Sequence, residues 1–178
     1  MNYIFLLLLI FSSCASLDED QCKNGNWDII GRRDGSNGEP LSVLEDHQKA
    51  CSEYGVKINV SMYKKSRKEG LKQYCTGENG FEVGQSGREY HNVCKSKKFK
   101  KNFRIGRKIY SLEKEIDDLE EDNDEYESKI DTASTTEKRY YRSRIRKNKK
   151  KIRKAESKLL IIKASIAKSA VDFVDLLD

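Results

Sequence analysis

Apolar residues recur in the second half of the chain at Ile105, Ile109, Leu112, Ile116 and Leu119, and again at Ile145, Ile152, Leu159, Ile162 and Ile166. With Asn123, Tyr126, Ile130, Tyr141, Asn148 and Ala155 they step alternately by four and three, the a/d seam of coiled-coil helices. Asp131–Thr136 interrupts the seam, and Ser134 with Glu137 has the spacing of a capping box that starts a new helix. The pattern predicts an antiparallel hairpin with helices over about 97–132 and 135–170. Each seam holds one asparagine. Asn123 and Asn148 are symmetric about Thr135–Thr136, so they are expected to face each other, and a polar residue at such a position fixes register.

The first half has a different pattern, in which aromatic and small residues are spaced three or four apart. It reads Trp27-Asp28…Gly31…Asp34-Gly35, then Tyr63…Ser66-Arg67…Gly70-Leu71…Tyr74-Cys75, then Phe81…Gly84…Gly87…Tyr90…Cys94. Small residues at that spacing share one helical face and let another backbone or a ring approach. Helices are expected over 27–34, 41–53 and 60–76, with Asn59 as N-cap, and a loop over the four-glycine stretch 77–87. Asp34 is expected to end a helix and bond into the Gly35–Gly38 turn.

Before both parts runs a nine-residue apolar segment, 3–11, too short for a bilayer span of about 20 residues and suited to a secretory signal. Ser12 and Ser13 precede Cys14 as in the lipobox of bacterial lipoproteins, which implies cleavage after residue 13 and acylation of Cys14. Ala15 in place of Asp then implies the outer membrane, with the acyl chains as a bilayer anchor. Ordinary cleavage after Ala15, giving a secreted or soluble periplasmic protein, is the rival expectation.

Setting Cys14 aside leaves Cys22, Cys51, Cys75 and Cys94, which in an exported chain predict two disulfides. Helices 41–53 and 60–76 should run antiparallel, putting Cys51 and Cys75 at opposite ends. The expected pairs are therefore Cys51–Cys94 and Cys22–Cys75.

Charge sharpens the division. Residues 15–94 hold 11 Lys/Arg and 13 Asp/Glu, whereas residues 95–178 hold 24 and 16. Residues 110–131 are acidic, with 11 Asp/Glu and two Lys; residues 137–168 are basic, with 14 Lys/Arg and two Glu, so the helices should attract. At 37% hydrophobic and 36% charged residues, the chain is neither a multi-pass membrane protein nor a large enzyme with a buried parallel sheet. The expected fold is mainly α: a signal peptide over 1–13, a small disulfide-bonded helical domain over 14–94, and a long coiled-coil hairpin over 95–178.

The pattern Cys22…Trp27-Asp28…Gly31…Asp34-Gly35…Gly38…His47…Cys51…Tyr63…Arg67…Gly70-Leu71…Tyr74-Cys75…Gly84…Gly87…Tyr90…Cys94 resembles a bacterial family of exported lipoproteins, domain of unknown function 2799, over roughly residues 20–130. Ser66 stands where that family usually has glycine. The resemblance implies an envelope location and brings no activity.

Candidate chemistry is sparse. His47 with Asp46 or Asp28 could form a general base, but a histidine packed against the disulfide core is the expectation. No motif for a nucleophile, phosphate loop, metal or cofactor is present. Trp27, Asp28, Asp34, His47, Arg67 and Tyr90 are the candidate ligand surface. Lys95–Lys108 holds eight cations and no acid, with Phe99 and Phe103 between them. In an exported chain that segment fits anionic lipid or lipopolysaccharide rather than nucleic acid. The expected role is an envelope structural or interaction protein presenting the hairpin, with a small ligand-binding or inhibitory module second and an enzyme third.

Overall fold

The computed structural model describes residues 16–174, with side chains to residue 168. The signal peptide and Cys14 lie outside the described residues. In order the helices are α1 (Glu19–Asn24), α2 (Trp27–Asn37), α3 (Val43–Ser52), α4 (Val60–Tyr74), α5 (Gly77–Gln85), α6 (Lys97–Ile130) and α7 (Thr135–Val174). No strand occurs among the described residues.

Two compact units emerge, divided between Tyr74 and Cys75, with 91–93 returning to the first. This differs from the division at residue 94 drawn from the cysteines, because α5 belongs with α6. The disulfides differ as well: Cys22 bonds Cys51 and Cys75 bonds Cys94, with Cα separations of 5.2 and 5.4 Å. The expected pairs Cys51–Cys94 and Cys22–Cys75 are not formed. Each bridge closes inside one unit, α1 onto α3 in the first and the chain before α5 onto the chain before α6 in the second.

Unit 1 is centred on α2 against α4. Leu17, Cys22, Trp27, Ile30, Leu44, Cys51 and Tyr63 form its core. Asn26 caps α2 by accepting from the Asp28 and Ile29 N–H groups, and Asn59 caps α4 by accepting from Met62 N–H at 3.0 Å.

Unit 2 pairs α5 with α6 and α6 with α7. The stretch 77–87, expected as loop, is helical through Gln85: Thr76 caps it by accepting from Asn79 N–H at 3.2 Å. Its glycines are there for contact. Ser134 and Glu137 bond reciprocally at the start of α7, as the capping-box spacing predicts. Every seam position of α6 and α7 is buried or half-buried. Ion pairs Glu113–Lys163 and Glu127–Lys149 run in opposite chain directions, so the two helices are antiparallel.

The two units repeat one device. A Cβ on Gly31, Gly35 or Gly70 would come within 2.4, 2.1 and 2.1 Å of the Tyr63, Arg67 and Arg32 carbonyl oxygens across the α2–α4 pair. In unit 2 a Cβ on Gly80, Gly84 or Gly106 would come within 2.6, 2.3 and 2.3 Å of the Phe99, Phe103 and Phe81 carbonyls. Gly38 (φ 76°) turns beneath the Tyr74 ring, as Gly87 (φ 71°) turns beneath Tyr110. Gly31, Gly35 and Gly38 have the spacing of Gly80, Gly84 and Gly87; Tyr63, Arg67, Gly70 and Tyr74 have that of Phe99, Phe103, Gly106 and Tyr110. Two helix pairs thus share one register.

Candidate functional site

Equal register makes the two pairs comparable position by position. Asp34 in unit 1 corresponds to Val83 in unit 2, Tyr63 to Phe99, and Arg67 to Phe103. In unit 2 these places are apolar, and Tyr90 packs on both rings, with centroids 4.9 Å from Phe99 and 5.0 Å from Phe103. In unit 1 they are polar and buried. The same backbone packing therefore does not require a carboxylate, a phenol or a guanidinium, and the polar version is the candidate site.

Asp34 lies in the last turn of α2 at 4% exposure; the helix runs three residues past it to Asn37, and its backbone carbonyl accepts from the Gly38 and Glu39 N–H groups of the turn, as expected. Its Oδ2 accepts from Tyr63 Oη at 2.9 Å and lies 2.9 Å from His47 Nε2. His47, on α3 and 3% exposed, meets Ser16 Oγ with Nδ1 at 3.0 Å. The ring thus bridges the two groups, with the carboxylate at Nε2 and the Ser16 hydroxyl at Nδ1. The His47 and Tyr63 rings meet edge to face, 5.9 Å apart.

Burial works against the Asp34 carboxylate. The hydrogen bonds from His47 and Tyr63, with the charges of His47 and Arg33, outweigh it and hold its pKa below the ordinary 3.8. Burial first, and then the Asp34 hydrogen bond, raises the Tyr63 phenol above its ordinary 10.0. Arg67, 9% exposed, donates through Nη2 to the Glu39 carbonyl, while its buried Nε has no partner. Ser66 donates to the Met62 and Tyr63 carbonyls and lies against Gly31, so its small side chain fits the glycine-like place.

Of the predicted ligand surface, Trp27, Asp34, His47 and Arg67 are interior to unit 1. Asp28 is half-buried and pairs with Arg32 at 3.3 Å. Tyr90 belongs to unit 2, where its hydroxyl bonds the Cys94 N–H and carbonyl. The six do not form one exposed surface. His47 finds its carboxylate in Asp34, not in Asp46 or Asp28. Tyr63 and Ser16 complete the cluster and were not among the predicted residues. The signal that reveals Tyr63 is its alignment with Phe99, a phenol where the other pair has a plain ring.

Hydroxyl, imidazole and carboxylate in series is the order of an acyl-transfer relay, with the two ring nitrogens exchanged relative to that arrangement. The relay's base is enclosed, and the tie it makes is between α2, α3, α4 and the start of the described chain. Leu17, beside Ser16, is 2% exposed in the same core.

In unit 2, Asn123 and Asn148 are 6% and 3% exposed, and Asn123 Oδ1 and Asn148 Nδ2 lack partners. A groove of about 520 Å³ beside Asn123 is walled by Glu120, Asp124, Lys149 and Arg153. The Lys95–Lys108 segment is partly committed to α5. Phe99 is buried, Asn102 donates to the Gly77 carbonyl at 2.9 Å, and Arg107 donates to that of Gly87. No described helix is long and apolar enough to cross a membrane.

Residues 26–108 match the family model described as Protein of unknown function (DUF2799), a narrower span than the 20–130 expected. No curated protein and no solved structure matches the chain.

Proposed function

Residues 26–108 are a domain of the DUF2799 family, and from that premise we propose that the chain is an envelope-anchored interaction protein presenting a coiled-coil hairpin. The observation that carries the reading is where the family match stops. It ends at Lys108, inside α6, while α6 runs on to Ile130 and α7 returns along it. The domain's last helix is thus extended into a two-helix arm whose apolar seam is used up internally and whose outer faces are mostly charged. Such an arm offers surface to a partner.

The acyl anchor at Cys14 gains support from the start of the described chain. Ser16 is bonded to buried His47 and Leu17 is in the core, so the domain would begin within two residues of the lipid. The Asn123 and Asn148 side chains act as the register pin of the coiled coil, each retained in an otherwise apolar seam.

A photo-crosslinking residue placed at exposed positions of α6 in intact cells tests the role. Neighbours should be captured from the hairpin, and Ile116→Asp or Ile152→Asp, which put a charge into the seam, should abolish capture. Capture that survives both substitutions would instead favour a ligand-binding or inhibitory role for unit 1. The buried Asp34–His47–Tyr63 cluster, absent from the equivalent place in unit 2, is the observation behind that second reading.

A further inference from the structure

The outward face of α7 carries charge that the hairpin does not use. Among the described residues, ion pairs from α7 to α6 are those of Lys149 with Glu127 and Lys163 with Glu113, and Arg144 lies over the Tyr126 ring. Arg139, Arg142, Arg146, Lys150 and Arg153 are exposed and have no carboxylate partner among the described residues.

At about 100° of rotation per residue, Arg139, Arg146, Lys150 and Arg153 fall on the side of α7 opposite the seam residues Ile145, Asn148, Ile152 and Ala155. Leu160 and Ile161 continue that outward side toward the C-terminus and are 70% and 66% exposed. Near the start of α7, Lys138, Arg139, Arg142 and Arg146 line an open concavity of about 730 Å³ together with the Thr135 and Ser143 hydroxyls. The face is therefore basic over its first half and then ends in an adjacent apolar pair standing in water.

We propose that this face lies on an anionic phospholipid bilayer, with the guanidinium and ammonium groups at headgroup phosphates and Leu160 and Ile161 among the upper acyl segments. Cations beside exposed aliphatic side chains on one helical face are what an interfacial helix needs. A nucleic acid would meet the cations and leave the aliphatic pair wet. The acidic α6 of a second copy would do the same. Among the described residues, the exposed large apolar side chains of unit 2 are Tyr140, Leu160 and Ile161, all on α7, so α6 has none to offer. The inference rests on the hairpin being the presented element, and assigns its α7 side to lipid, leaving α6 for a protein.

The test uses the full chain carrying Ile161→Trp, mixed with vesicles of phosphatidylcholine alone or of phosphatidylcholine with phosphatidylglycerol. Trp27 is buried in unit 1 and gives a constant background. Emission from position 161 should shift to the blue and be quenched by acyl-brominated lipid only in the anionic vesicles, and added salt should reverse it. Arg139→Gln, Arg142→Gln and Arg146→Gln together should raise the anionic lipid needed for the same shift roughly a hundredfold. Equal emission with the two vesicle types overturns the proposal. So does a blue shift without lipid that follows protein concentration, which would put a second copy on this face. Either failure leaves hairpin-dependent crosslinks to a protein untouched, so it is distinct from failure of the interaction role.

Discussion

Asp34 and Val83 occupy the same place in two helix pairs of one register, and the comparison sets what the polar residue costs. Removing Asp34 alone, as Asp34→Ala, leaves the His47 and Tyr63 donors buried without an acceptor. Chemical denaturation should show a loss of about 3–5 kcal/mol. Replacing the whole set, Asp34→Val with His47→Leu and Tyr63→Phe, imitates the apolar version and should return stability to within about 1 kcal/mol of the parent. A triple variant as unstable as the single one would mean the cluster is structural in a way that unit 2 does not reproduce. The same residues set a pH window. Asp34 has a lowered pKa when folded, so its contribution is complete above the ordinary 3.8 and is lost as pH falls through the folded value. Tyr63 has a raised pKa, so its contribution is complete below 10.0 and is lost as pH climbs beyond it. Melting followed by the signal of Trp27, packed in unit 1, should fall at both ends of the scale. Asp34→Asn should flatten the acid limb.

Among the elements, the glycines mark where backbones touch. Gly35→Ala would gain about 1 kcal/mol of helix propensity, yet its Cβ meets the Arg67 carbonyl at 2.1 Å. The two helices must then part, and a net loss of about 1–3 kcal/mol is expected. Gly84→Ala should do the same to the α5–α6 pair. Gly38 and Gly55 separate conformation from contact, since both have positive φ, 76° and 70°. Asparagine tolerates that conformation. Gly55→Asn, with nothing within 4 Å of its Cβ, should be close to neutral, whereas Gly38→Asn drives into the Tyr74 ring and should be clearly destabilising in the same melt. These contacts also explain how far the sequence could be read. Period and capping located α6, α7 and the break between them, because those signals are local. The stretch 77–87 looked like a loop because glycine is read as flexibility. Its partner, Phe99–Arg107, only becomes visible when the two halves are compared for spacing. The Asp34–His47–Tyr63 cluster joins three helices, and no local pattern reports which carboxylate a histidine will meet.

For the molecule as a whole, the disulfides decide which pieces of chain stand together. The distance between helix ends excludes Cys51–Cys75, and that pair is not formed. The expected pairs Cys51–Cys94 and Cys22–Cys75 cross between separate units, because with 77–87 read as loop α5 is missing as the partner of α6. With α5 in place, Cys75 precedes one helix of that pair and Cys94 precedes the other, and their bridge staples the entry to the pair. Cys22–Cys51 likewise ties α1 to α3 around the unit 1 core. The separations of 29 and 19 residues are similar, so loop-closure entropy gives each bridge about 3–4 kcal/mol. Non-reducing peptide mapping should recover Cys22–Cys51 and Cys75–Cys94. Cys22→Ser with Cys51→Ser should speed amide exchange in α2, α3 and α4, and Cys75→Ser with Cys94→Ser should speed it in α5 and the first turns of α6. Recovery of Cys51–Cys94 would overturn the unit boundaries at once. An equal rise in exchange across both units after losing one bridge would show that the division at Tyr74 separates contacts but not stability.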